Sequence, residues 1–407
     1  MKFIIIGITD HPNPSFTPAV AEVIKNGKFF SGGKRHHEIV SQLLPSQSKW
    51  IDISVPLDDV FREYEKVSST PSGMAGIVVF ASGDPLFYGF AVTLRRRFPH
   101  AEMQLFPSFN SLQQLAHASL VPYHDLRVVS LTGRPWDDFD RSLIERCAKI
   151  GVLTDREHTP SAIASRMLEF GCVDYEMIVG ERMGNPQEQR VSTLSLPEVK
   201  RMDFSFPNCL ILRQTTTERR YTPFGLPDEK FCLLDGRSRM ITKMPIRLLT
   251  LQALELPRRR VFWDVGFCTG SVSIEARLQF PHLHIDAFEI RPECESIIEA
   301  NMRRFGAPGI SVHMGDFCKV RLEEILPHQR PDAVFVGGHG GRLREVFSIL
   351  VRCVEPGGVV VMNSVTQESR QAFSDICREF ALREFPPTRI SLNDYNPITI
   401  LKCELPL

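Results

Sequence analysis

The run Arg260-Val-Phe-Trp-Asp-Val-Gly-Phe-Cys-Thr-Gly-Ser-Val-Ser-Ile-Glu275 carries an apolar strand pattern through a glycine-bounded loop directly into a helix pattern. A strand, a tight turn and a helix N-terminus in that order place Gly266 and Gly270 where backbone approaches a ligand with no Cβ between them. The helix starting near Ser271 adds unpaired N–H groups. Such a unit points to an α/β domain and suits a nucleotide-shaped cofactor. It is not the dinucleotide fingerprint, because G-x-G-x-x-G needs glycines two and five residues after Gly266, where Cys268 and Ser271 stand. The spacing is Asp264-x-Gly266-x-Cys268-x-Gly270.

The residues downstream continue the pattern. His284 to Ile290 reads as a second buried strand ending in Glu289, roughly the twenty-residue distance at which an acid meets ribose hydroxyls in doubly wound folds. A carboxylate there suits a diol and repels an extra phosphate. Ile310 to Asp316 offers a third strand, with Asp316 placed to accept from an adenine amino group. Pro331 to Gly341 supplies a fourth, running through Gly337 into a glycine-rich loop. Ligands of open α/β sheets sit at such strand C-termini. Any parallel α/β domain has glycines and stray acids there; four in this order resemble the D-x-G-x-G-x-G site of S-adenosylmethionine-dependent methyltransferases, with cysteine at the middle glycine. The expected cofactor contacts are Asp264, Gly266, Thr269, Gly270, Glu289, Asp316 and Gly337. Cys268 reads as a small loop residue and not a nucleophile, since no base stands beside it.

At 407 residues the chain is long enough for two or three domains with full cores. Lys plus Arg equals Asp plus Glu at 48 each, so no global field draws it to nucleic acid or an anionic membrane. The apolar run in Met1 to Asp10 is too short for a signal peptide and fits a first buried strand, and no segment has membrane-spanning length. The ten cysteines are scattered singly, with no C-x-x-C pair and no zinc-finger spacing. A reduced, cytoplasmic protein without a protein-bound metal is expected.

From Arg213 to Glu229 the sequence is polar and proline-bearing with no apolar period, which marks a linker. The expected division is a first domain over 1–213, a linker over 214–230 and a second domain over 231–407. In the first part, short apolar runs (Phe3–Ile8, Ile77–Ala81, Met103–Phe106, Arg127–Leu131, Lys149–Leu153, Tyr175–Val179 and Cys209–Leu212) alternate with amphipathic segments. That pattern argues for another α/β unit, in two lobes.

Its motifs resemble a known family. Ser31-Gly-Gly-Lys-Arg-His36, Ala81-Ser-Gly-Asp-Pro-Leu-Phe-Tyr-Gly89, Pro107 to Gln113, Val128 to Pro135, Leu153 to Pro160 and Gly180 to Glu188 are similar, in order, to tetrapyrrole methylases of the precorrin C5-methylating type. Met240 to Arg247, Trp263 to Glu275, Phe335-Val-Gly-Gly338 and Asn363-Ser-Val-Thr366 resemble the C15-methylating, decarboxylating type, a Rossmann-like class I methyltransferase. The resemblance implies a fused enzyme of corrin-ring synthesis. It would methylate a precorrin at C5 and C15 and remove the carboxylate of the C12 acetate, with one S-adenosylmethionine per half, and it would assemble as a homo-oligomer. It also implies that Gly83, Asp84, Phe87 and Ser111 surround the cofactor of the first half. Two loops depart from the family pattern: Gly7-Ile-Thr-Asp-His-Pro-Asn-Pro14 replaces G-x-G-P-G, and Gly266-Phe-Cys-Thr-Gly270 replaces Gly-Ala-Gly-Thr-Gly.

Methyl transfer from a sulfonium needs positioning and exclusion of water more than a nucleophilic side chain, consistent with the lack of a Ser-His-Asp or Cys-His arrangement. Decarboxylation needs the macrocycle as electron sink and cations on its other acids. His339 with Arg342 is the candidate near the substrate, though a solvent-facing loop histidine fits the same residues. Arg35, His36 and His37 suit propionates, and Lys34 to Glu38 equally fits a solvated turn. Asp84-Pro85 fits an ordinary turn too. Two alternatives stand beside this reading: a single working C-terminal site with the first half holding substrate, and an RNA methyltransferase drawing on Arg95–Arg97 and Arg258–Arg260.

Overall fold

The computed structural model describes residues 1–70, 76–216, 223–237, 240–321, 330–393 and 396–407. Residues 217–222 of the expected linker lie outside these. The chain forms two compact units. One comprises Met1–Pro135, Ala148–Arg166 and Val173–Thr216; the other comprises Trp136–Cys147, Met167–Cys172 and Thr217–Leu407.

The first unit holds two five-stranded sheets. In one, β1 (Lys2–Ile8), β2 (Phe29–Gly32), β3 (Lys49–Asp52), β4 (Ile77–Ser82) and β5 (Glu102–Phe106) are all parallel, in the order β3-β2-β4-β1-β5. Its two faces are buried by separate apolar clusters, Phe3, Ile5, Ile77 and Val79 in one and Ile6, Ile8, Val78 and Phe80 in the other. Two-sided burial is why β1 and β4 read as unbroken apolar runs. The other sheet contains β6 (Arg127–Ser130), β7 (Lys149–Leu153), β8 (Tyr175–Glu181), β9 (Arg190–Ser195) and β10 (Asn208–Gln214), in the order β6-β7-β10-β8-β9. Only the β6–β7 pair is parallel.

The second unit is built on β11 (Val261–Val265), β12 (His284–Glu289), β13 (Ile310–Met314), β14 (Ala333–Val336), β15 (Val359–Ser364), β16 (Arg383–Glu384), β17 (Thr388–Ile390) and β18 (Ile398–Glu404). The order β13-β12-β11-β14-β15-β18-β16 puts the strand reversal at β11 and β14, and β11 to β15 run parallel. A ligand crevice is expected at that reversal. Val261, Trp263 and Val265 pack into one buried cluster while Phe262 faces the other. Asp264 therefore shares the face of Phe262 and points toward the helix Ser271–Gln279. No helix among the described residues is long and apolar enough to cross a membrane.

Candidate active site

The second unit's crevice starts at the β11 loop. Gly266 has φ +81°, and a Cβ on it would stand 2.6 Å from the Gly338 nitrogen. Only glycine fits both demands. The Gly337 N–H donates to the Val265 carbonyl at 2.8 Å, so the β11 and β14 loops are joined at this point. Two cavities meet there. One, about 450 Å³, is lined by Glu289, Asp316, His339 and Arg342; the other, about 650 Å³, is lined by Lys243, Cys268, Gly337, Asn363, Ile390 and Ile398. Gly266, Gly338 and Arg291 line both.

The smaller cavity is lined by two carboxylates, each held by an arginine. Glu289 accepts the Cys268 N–H at 2.9 Å and the Ile290 N–H at 3.0 Å, and Arg291 grips both its oxygens at 3.0 and 2.8 Å. Burial pushes this carboxyl up, but the Arg291 guanidinium and the backbone N–H groups outweigh it and hold it below the ordinary glutamate value. Asp316 accepts from the Cys318 N–H at 3.0 Å and from Arg342 at 2.8 Å; the Arg342 bond lowers its pKa. Side chains at Gly315, Gly338 or Gly340 would project into open space, so bare backbone walls the cavity there. The larger cavity is apolar on one side (Ile241, Ile246, Val365, Leu392) and carries the cations Lys243 and Arg291.

In the first unit, the strand ends of β1, β4 and β5 close on each other. A Cβ on Gly7 would lie 1.9 Å from the Gly83 carbonyl oxygen, and one on Gly83 would lie 2.6 Å from the Asn110 Cα. The Gly7–Pro14 loop lines a cavity of about 380 Å³ with Pro107 and Ser108. Near these strand ends Arg35 and His36 converge on the Ser82 hydroxyl at 3.1 and 2.9 Å. Arg35 and Arg182 both pair with buried Asp10, at 3.5 and 3.0 Å. Burial, with Arg35 next to it, brings the His36 pKa down to about 4, so the ring is neutral near pH 7.

Two family models match the chain: tetrapyrrole (corrin/porphyrin) methylases over residues 2–199 and the precorrin methyltransferase domain over residues 235–399. A precorrin-6Y C(5,15)-methyltransferase [decarboxylating] of Sinorhizobium sp. is 28% identical over 91% of this chain and 86% of its own. The enzyme of that name from Mycobacterium tuberculosis (strain CDC 1551 / Oshkosh) is 30% identical over 75% of this chain and 74% of its own. The chain belongs to the precorrin-6Y C5,15-methyltransferase (decarboxylating) family. The cobalt-precorrin-6B C(15)-methyltransferase (decarboxylating) of Salmonella typhimurium is 38% identical over 35% of this chain and 71% of its own.

Within this C5,15-methyltransferase frame, the expected residues separate. Gly266, Glu289, Asp316 and Gly337 line the cavities. Asp264, Thr269 and Gly270 line neither and hold the loop from beneath: Asp264 accepts from Ser273 at 2.6 Å, the Thr269 carbonyl accepts from Asn301 at 2.9 Å, and a Cβ on Gly270 would meet Ile298 at 2.4 Å. His339 and Arg342, expected near the substrate, line the smaller cavity, where Arg342 is tied to Asp316 and Glu345. Burial lowers the His339 pKa, and its Nδ1 is buried without a hydrogen-bond partner. In the first unit Gly83, Asp84 and Ser111 lie at neighbouring strand ends. The Asp84 carboxylate accepts the Leu86 N–H at 2.8 Å, as a turn residue does, and Ser111 bonds the Cys209 thiol. Phe87 packs on the apolar cluster of Leu112 and Leu115, and His37 stacks on Trp50 at 4.3 Å instead of joining His36. Sequence reasoning missed Arg291, although a cation two residues past a strand-end acid is a local signal; Lys243 and Asn363 offered none beyond their family segments.

Buried Asp264 gives a pH test. Burial raises its pKa to about 7 against the usual 3.8. Between those values the folded chain holds a proton that the unfolded chain has released, so stability falls as pH rises across the window and levels off above it. Asp264→Asn should remove that slope, read as the denaturant midpoint of the second unit from pH 4 to 8. Equal slopes in both proteins would show that the carboxyl is ionised throughout.

Proposed function

We propose that the chain methylates a precorrin at C5 and C15 and decarboxylates its C12 acetate, using one S-adenosylmethionine in each unit. The observation that carries the C15 reading is the meeting of the two cavities at Gly266 and Gly338. Acids that suit a ribose and an adenine lie on one side, and an apolar slot with two cations lies on the other. When bound, the sulfonium supplies a methyl group to a nucleophilic macrocycle carbon and departs as a neutral thioether. Glu289 takes the ribose hydroxyls and Asp316 the adenine amine, which orients the nucleoside along the strand ends. Gly266 and Gly338 bring backbone against the reacting end without side chains. Lys243 and Arg291 pair with substrate carboxylates, while Ile241, Ile246 and Val365 exclude water from the acetate that loses carbon dioxide. The first unit, through the Gly83 strand ends with Arg35 and His36 on the acid groups, carries C5 methylation.

Mass spectrometry of the product formed from precorrin-6Y and S-adenosylmethionine should show two methyl groups gained and one carbon dioxide lost. One methyl gained with carbon dioxide still lost would confine activity to the second unit. No change, with cofactor binding intact, would overturn the tetrapyrrole reading.

A further inference from the structure

Glu289 has no room for the ribose it is expected to bind. Its Oε1 accepts from the Ile290 N–H at 3.0 Å, the Arg291 N–H at 3.1 Å and the Arg291 Nε at 3.0 Å. Its Oε2 accepts from the Cys268 N–H at 2.9 Å and the Arg291 Nη2 at 2.8 Å. A carboxylate offers about four lone-pair sites, and all are taken. The three backbone donors belong to the loops themselves. Only the Arg291 guanidinium can leave: its departure takes the third donor off Oε1 and frees a lone-pair site on Oε2, where a ribose hydroxyl would donate. Asp316 differs: a single backbone N–H and one Arg342 nitrogen leave it acceptor capacity for an adenine amine. The Arg291 side chain is 36% exposed and lines both cavities, so it has somewhere to go.

We propose that Arg291 is an exchangeable occupant of the ribose seat: cofactor binding displaces its fork from Glu289 and turns it into the 650 Å³ cavity, where it joins Lys243 in binding a carboxylate of the tetrapyrrole. This rests on the cofactor position proposed above. Arg291 is thus a positioning residue, and the displacement couples the two ligands. Arg291 docked on Glu289 costs the cofactor affinity, because the seat must be vacated first. Once vacated, the guanidinium strengthens carboxylate binding next door, and by linkage a carboxylate substrate strengthens cofactor binding equally.

The test is calorimetric binding of S-adenosylhomocysteine to the full chain, with and without uroporphyrin as a stable polycarboxylate tetrapyrrole. The site concerned is the one whose affinity drops in Glu289→Gln. There Arg291→Met should bind S-adenosylhomocysteine roughly tenfold tighter than the unmodified chain. The mutual enhancement between the two ligands, expected at about fivefold or more, should disappear. Arg291→Lys, which cannot form the fork, should also bind the nucleoside more tightly but retain part of the coupling, and it serves if the methionine variant is poorly folded. Weaker nucleoside binding in both variants, or coupling that survives in Arg291→Met, would overturn the exchange. If Glu289→Gln leaves every site unchanged, the cofactor position itself fails and the exchange with it.

Discussion

Glu275→Ala is expected to cost the second unit about 3–5 kcal/mol of stability, because it removes the fully buried one of the two carboxylates paired with Arg247 and strands the backbone N–H groups it accepts. Glu275 and Arg247 are both fully buried. The Glu275 carboxylate accepts the Gly225 and Leu226 N–H groups at 3.0 and 2.8 Å and the Arg247 Nε at 3.1 Å. Arg247 spends its remaining donors on Asp228 at 3.1 Å, the Thr242 carbonyl at 2.9 Å and the Leu226 carbonyl. One ion pair thus ties the segment before β11 to the helix that follows the glycine loop. Removing the carboxylate strands three donors and leaves the arginine charge to Asp228 alone, and each is costly when water cannot reach it. The double variant Arg247→Met with Glu275→Leu should recover only the part due to the buried charge, since the Gly225 and Leu226 N–H groups stay unpaired. Urea denaturation that follows the second unit would settle this. A shift below about 1 kcal/mol for Glu275→Ala would mean water or another acceptor replaces the carboxylate.

This ion pair also shows where the sequence stops being readable. Strands buried on both faces announce themselves: Val261–Val265 is apolar because helices cover both sides, and the sequence expectation places it correctly. β2 and β9 escape it. Phe29–Gly32 is only four residues long, and Arg190–Ser195 is an edge strand with an almost wholly solvent-facing polar pattern. Glu275 looks like an ordinary helix-surface residue by type. Its partners lie 28 and about 50 residues away, so no local period reveals that it is buried.

The candidate site divides in the same way. Positions were legible because strand C-termini carry the loops, which located Gly266, Glu289, Asp316 and Gly337. Side-chain direction was not. Asp264 sits inside β11, where alternation turns it toward Ser273 and away from the crevice. Gly270 is glycine because Ile298 crowds it and its φ is +72°, a reason internal to packing. Cys268 keeps a φ of +52° where glycine would be unstrained, and its N–H, bonded to Glu289, helps hold it there. His339 and Arg342 follow β14 as expected, but the reversal of strand order puts them beside Asp316.

Glu289→Gln separates the two activities most sharply. Alanine is the wrong probe, because it would release the N–H groups of Cys268, Ile290 and Arg291 together and unmake the loop. Glutamine keeps the shape and an acceptor oxygen, and removes the charge that makes a bond to a ribose hydroxyl worth about 1.5–3 kcal/mol. Cofactor affinity in the second unit should fall roughly 100-fold. At a cofactor concentration that saturates the unmodified enzyme, C15 methylation and loss of carbon dioxide should fall together, since both need the macrocycle seated against the same cavity. Methylation at C5 should continue, because no residue of the first unit's strand ends is touched. The product would then carry one new methyl group and an intact acetate. Loss of both methylations would show a single working cofactor site serving the whole chain, and the convergence of Arg35 and His36 on Ser82 would then mark a place where substrate is held without reacting.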